Sequence, residues 1–170
     1  MTVPTFIDLQ GFIVDKNFVV KEFAALREGY VLSHYIFGSP VPWYLLTKAE
    51  RQQASWLIAN HHGFQWEDGM IPYSMAKRLI TTAVMSVMEN ETTPIVYVKG
   101  HEKREWLQNL LLDDAREDVY IENIDTHYED IESLNTLDIT HTLRCQKHEN
   151  NCALQNVFKI FNWWSQHHKP

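Results

Sequence analysis

Two groups of residues in this chain have the types and spacing for chemistry on phosphates or metals. Asp8 and Gln10 stand two apart within Phe6-Ile7-Asp8-Leu9-Gln10-Gly11-Phe12, so the strand period puts both on one face. A strand carboxylate is a natural ligand for a hard divalent cation. Hydrolysis of a phosphodiester by two ions needs several carboxylates together, and Gln10 is an amide. The second group is Cys145-x-x-His148-x-x-x-Cys152. Thiolate and imidazole suit zinc, and short spacings let ligands converge. A closed structural site needs a fourth ligand, for which Glu22, His127, His141 and Glu149 are the candidates. The plainer alternative is that Cys152 is a small core residue on a buried helix face, with Cys145 and His148 as ordinary loop residues.

Lys99, Lys103 and Arg104 form a candidate phosphate-contacting cluster. A solvated helix face is the competing reading, because Glu102 and Glu105 dilute its charge. His61 and His62 fall at an expected helix end, where capping explains them. Trp163 and Trp164 project about 100° apart on a helix. Trp164 is expected in the core, leaving Trp163 to stack on a base or a partner. Trp43, Trp56, Trp66 and Trp106 read as packing residues.

The elements that must position these groups follow from the hydrophobic pattern. Residues 5–14 and 18–26 read as a hairpin turning at Asp15-Lys16-Asn17, with a third strand at 30–37. Thr47-Lys48-Ala49-Glu50 is a capping box opening a helix to about residue 59. A second helix fits 74–88, with Met75, Leu79, Ala83 and Val87 as its stripe. A buried strand follows at 94–98, then a helix at 100–112 and a short strand at 119–121. The acid-rich segment 113–133 reads as a solvated loop with a short helix. The last helix is expected over 151–166, burying Ala153, Val157, Ile160, Phe161 and Trp164. This order predicts an α/β fold with a mixed β-sheet flanked by helices.

Composition narrows the classes. With 170 residues, 45% hydrophobic and 12% aromatic, the chain can form a single packed domain over residues 1–170. A net charge of -7 argues against a wholly electrostatic grip on nucleic acid. Two cysteines, no signal peptide and no long apolar run predict an intracellular setting and no membrane partner.

In their order along the chain, these motifs resemble the DnaQ-like 3′–5′ exonucleases of the RNase H-like fold. Asp8 stands on the first strand, and residues 19–25 resemble that family's second strand with its Glu. His62-Gly63-Phe64 resembles its His-Gly-Ile turn. Residues 95–107 resemble the strand and helix carrying a further acid, and 151–157 the final helix. The resemblance implies a degenerate active site. Asp8 matches the first acid, Gln10 replaces the second and Lys103 the third, although Glu102 or Glu105 also lies near that register. Asn151 replaces the general-base His and Asn156 the last Asp. An amide cannot take a proton from water near neutral pH, so no catalysis is expected.

The chain is most similar to the Maelstrom domain of small-RNA silencing, a DnaQ-like domain with a Glu-Cys-His-Cys zinc set in place of the usual acids. That resemblance assigns Glu22, Cys145, His148 and Cys152 to a structural Zn²⁺, with a shorter His-to-Cys spacing here. It implies a pseudo-nuclease that binds single-stranded RNA or a protein partner, in RNA silencing or a mobile-element or viral setting. Two alternatives stand beside it. One is an active, divergent ribonuclease using Asp8 with Glu22, Glu102, Glu105 or Asp125; the other is a protein-interaction module that docks a partner near the last helix.

Overall fold

The computed structural model describes residues 3–85, 95–116, 118–148 and 150–167. Strands β1 (Thr5–Val14) and β2 (Asn17–Arg27) form the expected hairpin. Its turn residues Asp15 and Lys16 have φ of 50° and 65°, the left-handed pair that a two-residue turn between twisted strands requires. β3 (Val31–Ile36) pairs antiparallel with β2. β4 (Ile95–Val98) and β5 (Tyr120–Asn123) add in parallel on the other side of β1, giving the order β3-β2-β1-β4-β5. The protein is therefore α/β, with a five-stranded mixed sheet flanked by helices.

Helix α1 (Lys48–Asn60) begins at Thr47 with both hydrogen bonds of the capping box, Glu50 N–H to Thr47 Oγ1 and Thr47 N–H to Glu50 Oε1. α2 (Ala76–Met85) buries Ala76, Ile80, Thr81 and Val84. The centre of the buried stripe is thus one position on from that expected through Met75, Leu79 and Ala83; Leu79 and Ala83 pack at its edge, and Met75 belongs to the 3₁₀ turn Tyr73–Met75. Residues 86–88 of that expected helix and residue 94 of the expected strand lie outside the described residues. α3 (His101–Leu110) follows Gly100. The acidic segment holds two short helices, α4 (Asp113–Arg116) and α5 (Ile124–His127).

α6 (Ala153–His167) closes the fold. Trp163 is buried like Trp164, which corrects the expectation of an exposed stacking surface. Its indole packs edge-on to Tyr128, and His167 stacks on it with centroids 4.1 Å apart. Phe161, expected in the buried stripe, is only half-buried and packs against Phe6.

The two sheet faces differ in chemistry. Ile7, Leu9, Phe23 and Ala25 pack in a core with α2 and α3. Phe6, Ala24 and Leu26 pack against α6 on the other face. Asp8, Gln10 and Glu22 are buried along the same pleats as that second set. A bulge between Gln10 and Gly11 ends the regular register there. A Cβ on Gly11 would lie 1.9 Å from the Val19 carbonyl oxygen, so only glycine fits.

Candidate metal centre

Glu22 stands opposite Gln10 in the β1–β2 ladder, so its side chain rises under the start of α6. Cys152 immediately precedes that helix, and its carbonyl accepts the Asn156 N–H at 2.9 Å. Cys145 and His148 come from the loop leading into it. Gln146 and Asn151 in that loop adopt φ of 62° and 54°, folding it back on itself. The result gathers one ligand atom each from Glu22, Cys145, His148 and Cys152, all within 4.8 Å of one another. The ligand set implied by the resemblance is therefore one site. His127 pairs with Glu122 instead, His141 is exposed, and Glu149 lies outside the described residues.

The surroundings pre-orient each group. His148 Nδ1 bonds the His62 carbonyl at 2.8 Å, which leaves Nε2 facing the cluster. That Nε2 lies 3.2 Å from both Glu22 oxygens. Phe64 stacks on the imidazole with centroids 3.9 Å apart. Glu22 Oε1 accepts from Gln10 Nε2 at 2.6 Å and from the Ala153 N–H at 2.8 Å. Glu22 Oε2 lies 2.7 Å from His34 Nε2. The Cys145 N–H points at Cys152 Sγ, 3.4 Å away, and the Lys147 N–H at Cys145 Sγ, 3.5 Å away.

Proton affinities follow from these contacts. Burial would raise the Glu22 carboxyl, but hydrogen bonds from His148, His34 and Ala153 hold it down at about 2. The Cys145 thiol donates to Cys152, which lowers Cys152 to about 4 and pushes Cys145 far up. Burial disfavours charge on His148, yet Cys152 and Glu22 raise it to about 10. These shifts favour protons on Cys145 and His148, between the Glu22 carboxylate and the Cys152 sulfur.

The donor set fits zinc. Two sulfurs, one imidazole nitrogen and one carboxylate make four ligands of the preferred types, with the imidazole tautomer already fixed. A set of four leaves no open position for an activated water, so such an ion would be structural.

A few ångströms along β1, the acid face is closed by the chain itself. Lys103 Nζ lies 2.5 Å from Asp8 Oδ1, and Asn156 Nδ2 donates to Asp8 Oδ2 at 2.8 Å. Lys103 therefore points at the remaining acid, while Glu102 is exposed and Glu105 pairs with His101. Asn151 is turned away, its amide donating to the His61 carbonyl. Asp125, another acid named for an active nuclease, pairs with Lys99.

Beyond the last β1–β4 pair, Phe6 with Tyr97, the strands part. A cleft of about 530 Å³ opens there, lined by Gln10, His61, Lys99, His101, Lys103 and Trp106. Lys99, Lys103 and Arg104 do not form one open cationic patch. Lys99 bonds Asp125, Lys103 bonds Asp8, and Arg104 Nε donates to the Ile121 carbonyl. Phe18 and Trp106 stack with centroids 4.1 Å apart.

Sequence reasoning missed two buried polar groups, Lys21 and His62, and the half-buried His34. Lys21 donates to Ser39 Oγ and to the carbonyls of Trp66 and Asp68, tying that loop to β2. His62 is buried, bonded to the Gly11 carbonyl and to the Phe64 N–H, rather than capping α1 at the surface. His34 reaches Glu22 from the edge strand. The adjacent charges Lys21 and Glu22 inside an otherwise apolar strand were the available signal.

No protein-family model and no curated protein matches this chain.

Proposed function

We propose that this chain is a non-hydrolytic domain of the RNase H-like, DnaQ-exonuclease type, built around one structural zinc ion, and that it acts by binding single-stranded RNA. The sheet order and the Maelstrom-like placement of Glu22, Cys145, His148 and Cys152 support the fold and metal reading. The observation that carries the loss of hydrolysis is the Lys103 ammonium bonded to Asp8. It occupies the carboxylate that would hold a catalytic ion, and Gln10 and Asn156 are neutral amides. The zinc ligands tie the loop before α6 to β2. The RNA would lie in the cleft beside Lys99, His101 and Trp106. A setting in RNA silencing or in a mobile or viral element follows from the same resemblance.

A second reading, a protein-interaction module, is favoured by a groove of about 620 Å³ beside Cys145. It is lined by Phe64, Ile71, Leu154 and the almost fully exposed Met70.

One set of assays separates these readings. The purified chain should degrade no single-stranded RNA with Mg²⁺ or Mn²⁺; metal-dependent digestion abolished by Asp8→Ala would establish the nuclease instead. A fluorescent RNA oligonucleotide should bind with affinity falling steeply as salt rises, and Lys99→Glu with His101→Glu should weaken it about tenfold or more. Absent or salt-insensitive binding would favour the protein-interaction reading.

A further inference from the structure

Gln10 has a use that its place in a lost acid pair does not explain. It is buried, and its amide makes a 2.6 Å bond to Glu22 Oε1. The Ala153 N–H takes the same oxygen at 2.8 Å. A carboxylate oxygen has two lone pairs, so two donors saturate Oε1. From outside the cluster, Oε2 has His34 at 2.7 Å among the described residues; His148 Nε2 lies 3.2 Å from both oxygens, so the lone pair that His34 leaves on Oε2 is the one without a donor from outside the cluster.

We infer that Gln10 is the specificity-determining residue of the metal centre: with Ala153 it makes Glu22 a one-oxygen ligand, holding the site at four ligands. This rests on the metal reading above. A carboxylate using both oxygens raises the coordination number, as suits larger, harder cations. A carboxylate using one completes a tetrahedron with two thiolates and an imidazole. Glutamate at position 10 would do the reverse. It would set a second anion against Glu22 in a buried site and remove the donor that saturates Oε1. The Asp-x-Gln sequence then has a positive reason: the amide that abolishes one metal site equips the other.

The test uses zinc and cobalt on the full chain. Cobalt reports geometry, because four-coordinate Co²⁺ absorbs visible light far more strongly than five- or six-coordinate Co²⁺. The unmodified protein should bind about one Zn²⁺ and give the strong four-coordinate cobalt spectrum. Gln10→Ala should weaken zinc binding by about 10–100-fold in chelator competition and dim the cobalt bands as Oε1 enters the coordination sphere. Gln10→Glu should weaken zinc further. Comparing metal-free melting temperatures separates misfolding from ligand loss, and the cobalt spectrum reads only the folded, loaded fraction. Gln10→Ala with unchanged zinc affinity and an unchanged spectrum would overturn the inference while leaving the metal reading intact. An unmodified chain that binds neither ion would overturn both.

Discussion

The acid face and the metal group are neighbours on one sheet face, yet they meet the same problem differently. Each buries anionic side chains, which is costly unless a counter-charge is supplied. At Asp8 the chain supplies it: one ammonium and one amide occupy both carboxylate oxygens. At Glu22 the bonded donors among the described residues are amide, imidazole and backbone groups, and the sulfurs of Cys145 and Cys152 stand beside the carboxylate. Internal closure suits a group with no further task. A set of anionic donors held together by protons on Cys145 and His148 is suited to exchange those protons for a cation. Gln10, on the pleat of one group and bonded to the other, joins them.

The largest expected effect comes from breaking the metal side. Cys152→Ser should abolish zinc binding and lower stability by about 4 kcal/mol when free zinc stands about a thousandfold above the Kd. Chelation should give the same loss in the unmodified protein. Stability measured by urea unfolding with and without chelator checks this, and chelator-insensitive unfolding would remove the contrast between the two groups. Proton release sharpens it further. Zinc must displace the protons of Cys145 and His148, so affinity should rise with pH as about two protons leave per ion.

Breaking the acid side should cost less and leave the metal alone. Lys103→Met leaves the Asp8 carboxylate with Asn156 as its one hydrogen-bond partner among the described residues and should destabilise by about 3 kcal/mol. Lys103 retains some exposure and Asp8 almost none, so the penalty falls mainly on the buried acid. Zinc content by elemental analysis should stay unchanged. A variant that loses zinc as well would show that the two groups are one cooperative network.

Much of the layout was legible because local signals agreed with tertiary ones. The hairpin turn, the capping box and the alternation in β1 each specify geometry without distant contacts. Asp8 and Gln10 were placed on one face by period alone, and the structure puts them there. Other features depended on distant partners. Two adjacent stripes of α2 are apolar, and spacing alone does not choose between Leu79 and Ala83 and the more deeply buried Ala76, Ile80 and Val84. Trp163 was buried by Tyr128, from a loop that periodicity cannot bring into view. Lys99, Lys103 and Arg104 read as a surface cluster because the sequence shows their charge and not the Asp125, Asp8 and Ile121 acceptors that engage them. Cys145, His148 and Cys152 were readable as a candidate ligand set by type and spacing; Glu22, named through the resemblance, meets them through register and the start of α6.

The smallest expected effect lies in the floor between the two groups, at His62. Burial depresses its imidazole to about 4, with the neighbouring His61 and His148 adding to the depression and the Gly11 carbonyl opposing it. In the unfolded chain a histidine takes up its proton near the ordinary value of about 6.5. Between these values the unfolded state binds the extra proton and the folded state does not, so stability must fall as pH falls from about 6.5 toward 4. The loss should be about 2 kcal/mol, present only on the acid side of neutrality and absent at pH 7 and above. Neutral His62 is also what lets Nδ1 accept from the Phe64 N–H while Nε2 donates to the Gly11 carbonyl. His62→Gln can offer one donor and one acceptor without titrating. Urea midpoints measured on metal-free protein from pH 7 to 4.5 should therefore fall less steeply in His62→Gln than in the unmodified chain. Equal slopes would assign the acid sensitivity to the metal group and not to the wall beside it.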